Sequence, residues 1–385
     1  MSGAAAVTAT FALAAFLARW APGIRHDLAA SESEPLALAD LLARADDEDR
    51  ARWERLNLGY PDPRGAPWLR AAVAARHAVL SGDDVVCCSG AQEALSCTVA
   101  SLVRPGDHAV VVLPIYQPAE QAVTALCATT GVPLREEAGT WRLDTDRIAA
   151  ALRPETRLVL MNLPNSPTGA QLEPEGLDAL VRLCRARGIW LVNDEVYGLT
   201  ATADALPAVA DLYERGVSVN GLSKGFGLPG LRVGWAATRD RDLLARIVVA
   251  KSRSSSCLSA TSEVLAHVAL KSEAAIRGRN RAIGTRNASR LRQVAARWPG
   301  LFEVGPAQNL AFAFVRYRGA GSSEAFAREL AGTAGILVLP GSLWRSPLAP
   351  VAEDGLRIGL GRHASEGALG ALAAHLSRRA AAPVA

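Results

Sequence analysis

Apolar and polar positions along the 385 residues fall into two alternating patterns. Short, nearly continuous apolar runs, such as Val85-Val-Cys-Cys88, His108-Ala-Val-Val-Val-Leu113, Thr156-Arg-Leu-Val-Leu-Met161, Gly188-Ile-Trp-Leu-Val192 and Val217-Ser-Val219, have the length and character of buried strands. Between them lie stretches with helical spacing, among them Pro67-Trp-Leu-Arg-Ala-Ala-Val-Ala-Ala-Arg76, the run opening at Ala91, Asp240 to Lys251 and Ser262 to about Trp298. Strand and helix in alternation predict an α/β protein with a mostly parallel sheet. The first 45 residues read as an arm: a short amphipathic helix in Phe11-Ala-Leu-Ala-Ala-Phe-Leu-Ala-Arg-Trp20, then a second helix start at Ser31-Glu-Ser-Glu-Pro-Leu. Phe302 to Arg316 and Ile336 to Leu339 read as further strands. The expected division is an arm with part of a small domain in 1–45, a large domain in 46–270 and a small C-terminal domain in 271–385.

Composition narrows the function classes. Half of the residues are hydrophobic and 21% are charged, as in a soluble globular protein. The net charge of +4 is spread along the chain, which argues against a nucleic-acid footprint. The six cysteines show no zinc-like spacing and no small disulfide framework, so no metal is expected and the thiols read as reduced core fillers of a cytoplasmic protein. The apolar start, Met1 to Leu17, lacks a basic leading region, and no stretch has the length of a membrane span.

Chemistry concentrates at Val217-Ser-Val-Asn-Gly-Leu-Ser-Lys-Gly-Phe-Gly-Leu-Pro-Gly-Leu-Arg-Val-Gly-Trp235, a strand, a small-residue loop presenting Lys224, and a second strand after Arg232. Lysines stand at positions 224, 251 and 271 only, while arginine carries nearly all the remaining positive charge. An amine can lose its proton and form a Schiff base; a guanidinium cannot at working pH. Gly221, Ser223, Gly225 and Gly227 leave room for a bulky aldehyde, and the fork of Arg232 suits a phosphate. Upstream, Val85-Val-Cys-Cys-Ser-Gly-Ala-Gln92 is a strand, turn and helix start; Gly90, Ala91 and Gln92 would cradle a phosphate with the free amides of a helix N-terminus. Asp194 lies near the end of an apolar run, where a carboxylate is costly unless paired. Facing a pyridinium nitrogen, it would keep that nitrogen protonated.

Ser223-Lys224 followed by Pro229-Gly-Leu-Arg-Val-Gly-Trp235, with Gly90-Ala91, Ser166-Pro-Thr-Gly169 and Asp194-Glu-Val-Tyr197 in order, resembles the class I/II aminotransferase family, the fold type I enzymes of pyridoxal 5′-phosphate (PLP). The resemblance implies a large domain with a mostly parallel sheet flanked by helices, plus a smaller α/β domain. It assigns Lys224 as the lysine that holds the cofactor as an internal aldimine and then acts as general base toward a quinonoid carbanion. Tyr116 would stack on the cofactor ring, Tyr197 would bond its phenolic oxygen, and Ser223 and Arg232 would join the phosphate site. Where the family carries an asparagine before the Pro-Thr-Gly turn, this chain has Ser166, and either Ser166 or Asn165 can supply that donor. Arg357, in Gly355-Leu-Arg-Ile-Gly-Leu-Gly-Arg362, an alternating strand, matches the arginine that grips the substrate α-carboxylate; Arg362 reads as a solvated helix cap or a pocket neighbour, the cap being favoured. Tyr60 matches a tyrosine that reaches the cofactor of a second subunit, so a homodimer is implied.

Tyr116-Gln117, Trp141-Arg-Leu-Asp144, Ala210-Asp-Leu-Tyr-Glu-Arg-Gly216 and the segments around Arg232 and Arg357 are similar to a branch holding capreomycidine synthases and related cyclases, which eliminate and close a ring on hydroxylated arginine in specialised metabolism. The expectation is an aminotransferase acting on an α-amino acid, with a lyase or cyclase as the alternative. Gln308 and Asn309 can face a substrate or cap a turn. A non-catalytic PLP-binding regulator is disfavoured because the first 45 residues leave no room for a winged helix.

Overall fold

The computed structural model describes residues 11–137, 139–202 and 206–381; the first ten residues of the apolar start lie outside them. A seven-stranded sheet forms the centre, with β1 Val85–Cys88, β2 His108–Leu113, β3 Ala128–Pro133, β4 Thr156–Asn162, β5 Trp190–Asp194, β6 Gly216–Gly221 and β7 Gly234–Ala237. Their order is β1-β7-β6-β5-β4-β2-β3, and every pairing is parallel except those of β7. Alternate residues of each strand face opposite sides. Ala109, Val111 and Leu113 pack with Leu95 and Val99 of helix Ala91–Leu102 and with Leu243 and Ile247 of helix Arg241–Lys251. Val110 and Val112 pack instead with Leu177, Leu180 and Cys184 of helix Pro174–Arg187. Both faces are covered, which is why these strands read as unbroken apolar runs. β3 escaped the sequence reading: it is an edge strand paired only with β2, and Ala128-Thr-Thr-Gly131 carries little apolar signal.

A second, antiparallel sheet joins β8 Phe302–Glu303, β9 Phe312–Tyr317, β10 Leu339–Pro340 and β11 Gly355–Gly359 in the order β8-β9-β11-β10. The alternation expected for β11 is absent: all five of its residues are buried, because it is a central strand with another segment pressed on its outer side. That segment is residues 26–34, here termed the strap. Its start, His26–Asp27, pairs in parallel with Ile336–Leu337, so the single strand expected at Ile336 to Leu339 is two short ones. Leu28 joins the core of Leu291, Ile358 and Leu369. Gly359 donates its N–H to the Leu28 carbonyl at 2.7 Å, and Ser33 donates to the Lys224 carbonyl at 3.0 Å. The helix expected from Ser31 therefore begins only at Leu38, past Pro35, whose ring disfavours helical backbone before it.

The long helical run breaks at Ser272 into Ala260–Lys271 and Glu273–Arg297. On the second helix Asn280 and Asn287 stand seven residues apart, hence on one face. Asn280 Nδ2 donates to the Gly225 carbonyl at 3.0 Å; Asn287 Nδ2 donates to those of Leu360 at 2.7 Å and Arg362 at 2.8 Å. One rigid helix thus fastens the lysine loop and the exit of β11 at a fixed spacing.

Candidate active site

β6 ends at Gly221 and the following loop carries Lys224 toward the strap. The Lys224 Nζ donates to Ser31 Oγ at 3.1 Å and stands 5.8 Å from the centre of the Tyr197 ring. The Tyr197 hydroxyl donates to the same Ser31 oxygen at 3.1 Å. Gly227, at φ 70°, allows this approach: a Cβ there would lie 2.5 Å from the Glu34 carbonyl oxygen. Ser31 is only 5% exposed and was missed by the sequence reading.

Asp194 closes β5 in register with Asn162 of β4. Burial pushes its carboxyl up to about 6, against the opposing pull of the Val196 N–H, which it accepts at 3.2 Å, and of the Lys224 charge. Asn162, also missed, ties the sheet edge to the next loop: its Nδ2 donates to the Asp194 carbonyl at 2.8 Å and its Oδ1 accepts from Ser166 N–H at 3.0 Å. Of the two residues left open at the Pro-Thr-Gly turn, Asn165 is committed to the loop. It donates to the Pro114 carbonyl at 2.8 Å and accepts from the Thr168 hydroxyl at 2.7 Å. The Ser166 hydroxyl accepts from Arg357 Nη1 at 3.1 Å.

Helix Ala91–Leu102 starts against the first residue of β7, so closely that a Cβ on Gly234 would stand 2.3 Å from the Ala91 nitrogen. Gly90 has φ 95°, and a Cβ on it would come within 2.5 Å of Arg232 Nη2. Arg232 itself, at φ 53°, donates to the carbonyls of Pro229 at 3.2 Å and Ser89 at 3.4 Å, which sets its guanidinium beside the helix start. The carboxylate of Glu93 is tied by the Ser89 N–H at 2.6 Å and the hydroxyls of Ser254 at 2.6 Å and Ser255 at 2.9 Å. Gln92 Nε2 donates to Ser96 at 3.2 Å, leaving the Gln92 main chain in the first turn. Ser223 is the residue before Lys224 in the same loop.

On the second sheet, Arg357 Nη2 donates to the Ala29 carbonyl at 2.9 Å, and the guanidinium sits 4.9 Å from the Trp344 ring and 5.6 Å from that of Phe312. Its Nε is buried without a partner. Tyr116 meets Phe11 edge-on at 5.3 Å, and Gln117 Oε1 accepts from Ala12 N–H at 2.9 Å, so the first helix begins at the mouth of the site. Arg362 departs from the cap expected of it: its side chain pairs with Glu32 and, at 3.5 Å, with Asp27, while its carbonyl accepts from Ser365 N–H at 3.1 Å. Glu32, which no motif announced, is held below its ordinary range: burial would raise it, but Lys224 and Arg362 outweigh burial. Asn309 serves its turn, its Oδ1 accepting from Ala311 N–H at 2.8 Å, whereas Gln308 Oε1 accepts from the distant Trp141 N–H at 3.5 Å. Tyr60 is the one candidate outside this gathering, 96% exposed on a loop pinned by Lys251 Nζ donating to the Pro63 carbonyl at 2.6 Å.

Among the described residues no group of His, Cys, Asp and Glu can hold a metal ion, and no helix is long and apolar enough to cross a membrane. The donor set fits pyridoxal phosphate: an amine for its aldehyde, helix amides and Arg232 for its phosphate across a Gly90 notch that a Cβ would fill, and Asp194 for its ring nitrogen.

Comparison with known proteins agrees. The chain is 38% identical over 192 residues to arginine–pyruvate transaminase of Pseudomonas aeruginosa, a match covering 46% of this chain and 48% of that protein, so it spans about half the relative's length. It is 32% identical over 293 residues to capreomycidine synthase of Streptomyces vinaceus, covering 76% of this chain and 73% of that one. The fold matches a PLP-dependent aminotransferase from Streptococcus suis with a TM-score of 0.87 and 25% identity, over 96% of this chain and 98% of that one. Pyridoxal 5′-phosphate is the cofactor these matches imply. The family model for aminotransferase class I and II covers residues 29–374, and the chain belongs to that family.

Proposed function

We propose that the protein is an aminotransferase acting on an α-amino acid, with elimination and ring closure as the second reading. The observation that carries it is the convergence on one strap of Lys224, through Ser31, and Arg357, through Ala29. Bound pyridoxal phosphate supplies an aldehyde for amine exchange and a ring that takes up electrons from the substrate α-carbon. The chain does the rest. Arg357, its guanidinium buried against Trp344 and Phe312, would hold the α-carboxylate in a two-pronged pair. Lys224, released, takes the α-proton as general base. Asp194, its carboxyl at about 6, is largely ionised at neutral pH and would serve as counter-charge to the ring nitrogen of the bound cofactor.

Asp27 and Glu32, which pair with Arg362, are the carboxylates through which a cationic substrate side chain would be recognised, in keeping with the arginine named for one relative. Ser166, turned to Arg357 at the position of the family's asparagine, and the likeness to capreomycidine synthase favour the second reading. The residues 46–270 and the small sheet with its arm, 1–45 and 271–385, form in this reading two domains with the substrate between them. Tyr60, so exposed in one chain, fits a role in the neighbouring subunit of a cytoplasmic homodimer.

Mass spectrometry of products from cofactor-loaded protein with arginine, β-hydroxyarginine and apolar amino acids, with and without a keto-acid acceptor, tests both readings. Keto acid with aminated cofactor is expected; a product lighter by one water with all nitrogen retained establishes the second reading. Inertness toward the whole panel would overturn both.

A further inference from the structure

We propose that Ser31 is a positioning residue for Lys224, joining it to Tyr197 in a hydrogen-bonded chain that the substrate side of the pocket controls. Ser31 Oγ accepts from Lys224 Nζ and from the Tyr197 hydroxyl, each at 3.1 Å, and is almost wholly buried. A buried hydroxyl in a low-dielectric pocket acts strongly on the groups it touches. It fixes where the amine points, because an acceptor at that place holds an N–H of the Lys224 nitrogen in one direction. The turn serine does not take this place, since the Ser166 hydroxyl is engaged by Arg357.

The strap makes the position dependable. Ser31 N–H donates to Glu32 Oε2 at 3.1 Å, and the other oxygen of Glu32 is paired with Arg362. Two glycines of the β11 exit press on it: a Cβ on Gly359 would lie 2.3 Å from the Ala30 oxygen, and one on Gly361 would lie 2.4 Å from the Glu32 oxygen. Gly227 closes from the lysine loop. Arg357 holds the Ala29 carbonyl two residues before Ser31, so a carboxylate arriving at Arg357 pulls on the backbone that carries the lysine's partner.

This rests on Lys224 being the reactive lysine, so the experiment reads that separately. Cofactor-loaded wild type, Ser31→Ala, Ser31→Thr and Lys224→Ala are compared by pH titration of the visible cofactor band and by steady-state kinetics. In Ser31→Ala the band's titration midpoint is expected to fall by about one pH unit, as for a lost hydrogen bond to a charged group, and kcat to fall with KM little changed; Ser31→Thr restores both. An unmoved midpoint with unchanged kcat overturns the proposal. A KM that rises in step with the loss of kcat, unrescued by threonine, also overturns it, because the strap rather than the hydroxyl would then be at fault. A visible band that survives in Lys224→Ala would instead remove the lysine assignment on which the proposed function stands.

Discussion

The edge of the seven-stranded sheet and the strap both deliver side chains to Lys224, by opposite means. On the sheet, Asp194 and Asn162 sit where strand register puts them, next to each other at the ends of paired strands. The strap has only a two-residue strand pairing of its own and is held by tertiary contacts: glycine notches, main-chain bonds to both sheets and the Arg362–Glu32 pair. A strained electrostatic group, a carboxylate kept at about 6 by burial, is placed on the element that cannot move. The Ser31 hydroxyl and the Glu32 carboxylate are placed on the element whose position depends on its neighbours. Rigid elements hold what must be preorganised, and segments with few contacts of their own are the ones that adapt.

Lys224 and Arg357, the groups that the two regions surround, have the largest predicted effects. Lys224→Ala should reduce turnover to background, since base and covalent anchor disappear together; measurable first-order turnover in that variant would end the assignment. Next comes Arg357→Ala, where a charged pair worth about 2–3 kcal/mol is lost, equivalent to a KM raised by about 30- to 150-fold. An unchanged KM would move the α-carboxylate elsewhere.

Asp194→Asn sharpens the contrast because it should lower activity yet raise stability. The folded carboxyl lies at about 6, above the ordinary 3.8, so the native state holds its proton more tightly than the unfolded chain. Its ionisation therefore costs nothing below pH 4, grows between about pH 4 and 6, and reaches at most about 3 kcal/mol above that window. Urea melts of the cofactor-free protein should show the variant more stable at pH 7 and no better at pH 4. Equal stability at both would mean that the carboxylate is solvated or paired in the free protein.

The same contrast explains what could be read without coordinates. Lys224, Asp194, Tyr197 and the Gly90 turn were legible because each lies in a local pattern, an apolar strand followed by small or polar residues, and the physics that places them acts within a few positions. Ser31 was not, because its partners Tyr197 and Lys224 lie 166 and 193 positions away, and Ser-Glu-Ser-Glu-Pro resembles a helix start as much as a strap. The glycines of Gly355-Leu-Arg-Ile-Gly-Leu-Gly-Arg362 were visible, but their purpose, admitting the strap backbone, needed the strap to be in place. Arg362 misled for the same reason: nothing near it in sequence competes with a capping role, and Glu32 is 330 positions distant.

Arg362→Ala is the smallest of these changes and the one that separates anchoring from recognition on the strap. The pair it breaks is partly exposed, and the strap keeps its bonds to Leu337, Gly359 and Lys224, so about 1 kcal/mol or less is at stake. For amino acids with apolar side chains, KM should rise by no more than about fivefold as the strap loosens. For arginine-like substrates the loss should be smaller or reversed, because the substituted chain leaves Asp27 and Glu32 without their guanidinium and a cationic side chain can take its place. KM values for arginine and for an apolar amino acid of similar length, compared in both proteins, decide between the roles. A shift of equal size for both substrates would make the Arg362–Glu32 pair an anchor only, and would remove the charge argument for a cationic substrate.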